Sequence, residues 1–182
     1  MSTLAGIVLA GGAARRLSGV DKPMLPVDGK PLVRHAVDAL AAADPVVVVG
    51  PERAGIPGVR WTREEPPGGG PLAALAAGLA VLERPDLVAV LAGDLAAVTP
   101  STVDRLVDAL GKHDGAVVVD ADGRRQWLLG VWRTARLRAV LPAEPAGAPL
   151  RSALGALDVT GVPEHAGEAA DIDTPEDRLR HS

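Results

Sequence analysis

The stretch from Leu9 to Pro23, Leu-Ala-Gly-Gly-Ala-Ala-Arg-Arg-Leu-Ser-Gly-Val-Asp-Lys-Pro, joins glycines to three cations, Arg15, Arg16 and Lys22. Glycine lacks a Cβ, so backbone N–H groups there can approach a ligand closely, and the cations supply charge that neutralises an anion. The chemistry such a segment offers is phosphate binding. Its spacing excludes two common phosphate loops. A G-x-x-x-x-G-K-[ST] string is absent, since Lys22 is followed by Pro23; in the second glycine cluster, Gly68-Gly69-Gly70, Ala73 stands where G-x-G-x-x-G needs its last glycine.

Carboxylates come next. Asp94 follows Leu91-Ala92-Gly93, and Asp171 and Asp173 alternate within Asp171-Ile172-Asp173-Thr174-Pro175-Glu176-Asp177. A hard divalent cation such as Mg²⁺ takes carboxylate and phosphate oxygens, and Asp94 and Asp173 are of the right type to hold one. Each also has a plainer reading. Asp94 suits a turn, and Asp173 or Thr174 suits the cap of a helix beginning at Thr174-Pro175. Arg63-Glu64-Glu65-Pro66-Pro67 leads into Gly68-Gly69-Gly70-Pro71-Leu72. That stretch reads either as a ligand-facing loop or as an ordinary connection with solvated glutamates. Arg124-Arg125-Gln126 offers donors to an anion. His35, His113, His165 and His181 are scattered singly, so neither a histidine metal cluster nor a Ser-His-Asp arrangement is readable.

Elements that position these groups are legible in the apolar pattern. Leu4–Leu9, Val46–Val49, Leu87–Leu91 and Ala116–Val119 are short apolar runs rich in branched residues, the pattern of parallel strands covered on both faces. Helical spacing connects Val33, Ala36, Val37 and Leu40; Leu72, Leu75, Leu79 and Leu82; and Val103, Leu106, Val107 and Leu110, with a cap and first turn at Thr99-Pro100-Ser101. Gln126–Trp132 reads as a further strand or strand-turn, and 142–149 as a loop. The expectation is a three-layer α/β/α Rossmann-like fold with a mainly parallel sheet, whose ligands sit beyond the carboxyl ends of the strands.

Composition bounds the rest. With 182 residues, 47% of them hydrophobic, the chain suits one domain, residues 1–182. The absence of cysteine excludes disulfides and thiolate metal sites. A formal net charge of −4 argues against a nucleic-acid surface, yet residues 15–34 carry five basic and two acidic side chains, a patch suited to a small anion. No apolar run approaches the ~18 residues of a membrane span, and the first residues lack the pattern of a signal peptide. The expectation is a cytoplasmic protein that binds neither membrane nor nucleic acid.

Taken in order, these motifs resemble those of the MobA-like nucleotidyltransferases. The first is similar to that family's L-A-G-G-x-x-x-R-M-G-x-D-K, with Leu17 in place of methionine. Arg63–Leu75 resembles R-D-x-x-P-G-x-G-P-L-A-G-L, and Asp171–Asp177 resembles a C-terminal motif that usually has Asn where Asp173 stands. Trp127 takes a proline position, and Leu95-Ala96-Ala97 replaces a Pro-Phe pair after Asp94.

The resemblance implies the activity of a molybdenum cofactor guanylyltransferase. Such an enzyme transfers GMP from MgGTP to Mo-molybdopterin and releases pyrophosphate. On this resemblance Arg16, Lys22 and Asp94 are catalytic. Leu9, Ala10, Gly11, Gly12, Lys22, Gly50, Glu64, Gly70, Pro71 and Asp94 bind the nucleotide, Asp94 and Asp173 hold Mg²⁺, and Asp171, Asp173, Arg125 and Gln126 meet the pterin. It also implies contact with molybdenum-insertion and molybdoenzyme-maturation proteins. Gly11 bears on base choice, because relatives that transfer CMP tend to read L-A-A-G. A CTP-dependent molybdopterin cytidylyltransferase or sugar-phosphate nucleotidyltransferase stands as one alternative, and a noncatalytic NTP-binding adaptor in molybdoenzyme assembly as another.

Overall fold

The computed structural model describes residues 1–11, 16–17 and 20–172, with the backbone alone at 16, 17 and 20. Its strands are β1 (Leu4–Leu9), β2 (Arg16–Leu17), β3 (Val20–Asp21), β4 (Pro26–Val27), β5 (Lys30–Pro31), β6 (Val46–Val49), β7 (Arg60–Thr62), β8 (Leu87–Ala92), β9 (Gly115–Val119), β10 (Arg125–Arg133) and β11 (Val159–Pro163). The helices are α1 (Leu32–Ala39), α2 (Pro71–Ala80), α3 (Pro100–Leu110), α4 (Thr134–Val140) and α5 (Leu150–Leu154).

Seven strands form the main sheet in the order β11-β9-β10-β8-β1-β6-β7. β1 lies between β6 and β8 and runs parallel to both, as its apolar run predicts. Val46–Val49 is four buried valines, stiff at χ1 and covered on both faces. The expectation that the sheet is mainly parallel holds. The exception is β10, antiparallel to β8 and β9, so Gln126–Trp132 falls on the one reversed strand. This strand also carries a turn-like irregularity. Its register against β9 passes from Gln126↔Val118 directly to Gly130↔Val117, which leaves Trp127, Leu128 and Leu129 bulged out of that ladder.

Helices cover both faces. α1 and α3 bury Val33, Ala36, Val103 and Leu106 against Val8, Val48 and Leu91. On the other face α2 buries Leu72, Leu75 and Leu79 against Ile7, Val49 and Val90. A Cβ at Gly78 would lie 3.0 Å from Ile7, so glycine lets α2 approach the sheet closely. Thr99 and Thr102 form the predicted cap of α3, each side chain bonded to the other's backbone end, with Pro100 in the first turn. Trp132 is fully buried and is the largest side chain in the core, in a chain with no Phe or Tyr. Residues 142–149 are the expected loop, joining α4 to α5. The helix predicted from Thr174 lies outside the described residues.

Candidate functional site

Parallel strands end side by side, so the segments after β1, β7 and β8 open onto one crevice. Ala10 N–H donates to Val49 O at 2.8 Å, and Gly93 N–H donates to Leu9 O at 2.9 Å. These bonds draw the first glycine segment against its two neighbours. A Cβ at Gly93 would sit 3.0 Å from Leu9 O, so the glycine before Asp94 permits the close approach. Gly50, at φ +148°, would bring a Cβ within 2.9 Å of the Ala10 carbonyl. Gly50 therefore braces Ala10-Gly11 from behind and is not among the cavity-lining residues.

Lys22 enters from a single 3₁₀ turn, Lys22–Met24, with Pro23 at its start. Its Nζ donates to Asp94 Oδ2 at 3.1 Å, and the Lys22 residue is only 3% exposed while the Asp94 side chain keeps 26% exposure. The residue before it is tied down as well. Asp21 accepts from Arg53 Nε at 2.6 Å and Nη2 at 2.9 Å, and Arg53 Nη1 reaches Pro51 O at 3.1 Å. This anchor to the loop after β6 fixes where Lys22 emerges. Nothing in the sequence pattern singled out Arg53.

Lys22 and Asp94 line a cavity of about 520 Å³ together with Leu9, Ala10, Gly11, Gly70, Pro71 and Glu64. Pro23, Gly68, Ala92 and Gly93, which the sequence marks only as parts of its motifs, also line it, as do Ala74 and Leu128, for which the sequence suggests no site role. Pro71 begins α2, so that helix presents its positive end to the cavity. Glu64 is not a solvated glutamate. It is 7% exposed, its Oε1 accepts from Gly68 N–H at 3.1 Å, and its Oε2 is buried with no partner among the described residues. A buried oxygen left so is costly until a donor reaches it.

A second cavity of about 490 Å³ adjoins the first and shares Ala92, Asp94 and Leu128 with it. Here the structure brings together Arg124, Arg125, Gln126 and Asp171 from the sequence reading, and adds Asp120, Trp127 and Ala169. Asp120 organises the turn between β9 and β10, with Oδ1 accepting from Asp122 N–H and Arg124 N–H at 3.0 and 2.9 Å and Oδ2 from Gln126 Nε2 at 2.7 Å. The Trp127 ring stacks on Trp132 with centroids 6.3 Å apart, and the Arg125 guanidinium lies 5.9 Å from the Trp127 centroid. This holds Arg125 by a cation–π contact. Asp171 forms a bridge with Leu95, and Ile172 N–H donates to Asp94 O at 3.2 Å. Leu95 and Ala96 are thus packing residues, Ala96 lying against the cluster of Val27, Leu32 and Ile172.

Gly12 and Asp173 lie outside the described residues, and so does the side chain of Arg16. Among the described residues no group of three acidic or histidine side chains gathers as a metal cluster. No helix among them is long and apolar enough to cross a membrane.

Comparison with known proteins gives the chain's relatives. The chain is 41% identical over 128 residues to an Opitutus terrae protein named "Probable molybdenum cofactor guanylyltransferase", covering 67% of this chain and 63% of that protein. It is 38% identical over 138 residues to a Mycobacterium tuberculosis protein of the same name, covering 72% of this chain and 68% of that one. Among solved structures it is similar to a nucleotidyl transferase from Methanothermobacter thermautotroptrophicus, with TM-score 0.76, 26% identity, and coverage of 98% and 95% of the two chains. The profile of the MobA-like NTP transferase domain matches residues 6–160, a span holding Lys22, Glu64, Asp94 and both walls shared by the two cavities. The chain belongs to the MobA-like NTP transferase domain family.

Proposed function

We propose that this protein is a molybdenum cofactor guanylyltransferase, which transfers GMP from MgGTP to the terminal phosphate of Mo-molybdopterin and releases pyrophosphate. The observation that carries this reading is the placement of the Lys22–Asp94 pair where two cavities meet. The first cavity takes the nucleotide and the second the acceptor, so the reacting phosphorus sits beside that pair. An acceptor phosphate oxygen attacks the α-phosphorus in line. One P–O bond forms, the bond to the β-phosphate bridging oxygen breaks, and pyrophosphate leaves with that electron pair. Lys22, together with Arg16, neutralises charge that builds on the phosphoryl oxygens. Leu9, Ala10, Gly11, Gly12, Gly70 and Pro71 surround the nucleotide, with Gly50 as their support.

Mg²⁺ fits the donor set at this place. Such an ion is held by one or two carboxylates with substrate phosphates and waters, so the lack of a three-acid cluster among the described residues is no obstacle. Asp94 would hold it, joined by Asp173. When bound it supplies Lewis-acid polarisation of the phosphoryl oxygens. Glu64 favours a nucleoside rich in N–H donors, since its unpartnered Oε2 lacks one. Guanine presents an adjacent N1–H and amino group, two donors side by side. In the second cavity Arg125, Gln126 and Asp171 meet the acceptor's polar groups, and Asp173 is assigned to the acceptor with them by the resemblance. Residues 1–182 act as one catalytic domain in the cytoplasm and pass the product to molybdenum-insertion and molybdoenzyme-maturation proteins.

A thermal-shift panel of GTP, CTP, UTP and ATP with and without Mg²⁺, followed by pyrophosphate release with molybdopterin, tests the reading. GTP at 100 times its dissociation constant stabilises by ~2.7 kcal/mol. Stabilisation by GTP without pyrophosphate release would favour a noncatalytic binding role.

A further inference from the structure

One buried carboxylate takes no part in the transfer described above. Glu168 is 4% exposed and lies after β11, in the irregular segment 164–172 that carries Ala169 and Asp171 into the second cavity. Its partners come from α3, more than sixty positions earlier. Thr102 Oγ1 donates to Oε1 at 2.7 Å, Arg105 Nη1 donates to Oε1 at 2.7 Å, and Arg105 Nη2 donates to Oε2 at 2.8 Å. The His165 backbone N–H adds a fourth bond at 3.0 Å, so both oxygens are saturated.

The remaining ties of this segment are few. Glu164 accepts from Ala121 N–H at 2.9 Å and Ala169 N–H at 3.3 Å, and the chain then reaches the Leu95–Asp171 bridge and the Ile172 bond to Asp94 O. Glu164 N–H also donates to Val119 O at 3.0 Å and Ile172 is fully buried, so backbone bonds and packing hold the two ends of the segment, and Glu168 adds a side-chain tie from its middle to α3. Three of the four bonds on Glu168 link it to a helix packed on the sheet, and no other carboxylate of this segment joins it to α3 among the described residues.

We propose that Glu168, clasped by Arg105 and Thr102, is a positioning residue for the acceptor: it holds 164–172 so that Ala169 and Asp171 line the second cavity beside Asp94. The inference rests on the assignment of that cavity to the acceptor. Glu168 touches no reacting atom; it acts through the backbone that carries Ala169 and Asp171. The first cavity does not use this segment, so the clasp bears on acceptor binding and not on nucleotide binding.

The test is Glu168→Gln, with Arg105→Lys as a milder second variant that keeps the charge but loses the paired hydrogen bonds. KM for molybdopterin, the dissociation constant for GTP and hydrogen exchange of the backbone are measured on each. A displaced wall should raise acceptor KM roughly 10–100-fold, leave GTP affinity unchanged and speed exchange in 164–172 alone. Arg105→Lys should lie between wild type and Glu168→Gln. Unchanged acceptor KM and unchanged exchange in a folded variant would overturn the proposal. A parallel loss of GTP affinity and acceptor binding would overturn it too, because it would mark a general structural role. If the wild type transfers no GMP, the functional reading fails, and exchange confined to 164–172 still decides whether the clasp positions that wall. If Glu168→Gln does not fold, Arg105→Lys decides by the same measurements.

Discussion

The two cavities that meet at Asp94 are built by different means. The first is made largely of strand ends: Leu9–Gly11 and Ala92–Asp94 close β1 and β8, Gly70 and Pro71 open α2, and glycine at 50 and 93 lets the segments close on each other, with Lys22, Glu64 and Leu128 adding to the lining. Its geometry follows from local chain chemistry. The second is made of a bulged strand, a turn organised by Asp120, and a segment held by Glu168 to a helix 63 and 66 positions away. Its geometry follows from distant pairs. A cavity of the first kind tolerates little backbone change, and the Arg53–Asp21 pair beside Lys22 ties it to side chains outside the lining. One of the second kind can be loosened from a distance without touching a ligand.

The predictions separate the two. The largest effect is expected at their boundary. Asp94→Asn should abolish Mg²⁺-dependent turnover, while Asp173→Asn should be mild, since the motif that Asp171–Asp177 resembles has Asn there; turnover of both with varied Mg²⁺ checks this. If Asp173→Asn were the more damaging, the metal would be anchored mainly from the C-terminal motif. Lys22→Ala should lower kcat by ~10²–10³-fold, the scale of one lost transition-state donor, with folding retained. Near-normal turnover in a folded Lys22→Ala protein would remove Lys22 from the mechanism.

Smaller effects come from single walls. A Cβ at Gly11 would lie 3.7 Å from Gly50 Cα, an ordinary contact, so Gly11→Ala should fold normally. Because Gly11 lines the first cavity, the added methyl should erode the preference for GTP over CTP by roughly 10–200-fold, read as the ratio of kcat/KM values. An unchanged ratio would take Gly11 out of base selection.

The second cavity has its own pH signature. Burial alone would push the Glu168 carboxyl up, but the hydrogen bonds from Arg105, His165 N–H and Thr102 and the Arg105 charge outweigh it and hold it at about 2, below the ordinary 4.5. The stability this supplies is present above pH 4.5 and is lost as pH falls through about 2. The urea midpoint of Glu168→Gln should therefore lie below wild type at pH 6, and the gap should narrow steadily toward pH 2. A gap independent of pH would contradict the role of the carboxylate charge.

The first cavity was legible in the sequence because its signals are local. An apolar run followed by glycines gives a strand end, Gly93 before Asp94 gives a second, and Gly70-Pro71 gives a helix start beside them. Lys22 was legible as a cation near glycines, though its pairing with Asp94 depends on two strands being neighbours. Gly50 illustrates the limit. Its type was noticed at the end of β6, yet only the contact with Ala10 shows that it supports the glycine segment. The second cavity was half legible. Arg125, Gln126 and Asp171 were marked by motif, but Trp127 and Leu128 enter through a bulge that has no periodicity to betray it, and Asp120 through the turn before β10. Glu168 and Arg105 sit in unremarkable polar stretches; no local pattern says that a glutamate after β11 will meet an arginine on α3. Likewise β10 reads as an apolar strand, and its reversed direction is a property of the sheet.

The measurement closest to the central claim is kcat/KM for GTP and for CTP with molybdopterin as the common acceptor, followed by pyrophosphate release. A guanylyltransferase built on this site should prefer GTP, with one pyrophosphate released per acceptor guanylylated. A preference for CTP, or pyrophosphate release indifferent to the acceptor, would contradict it.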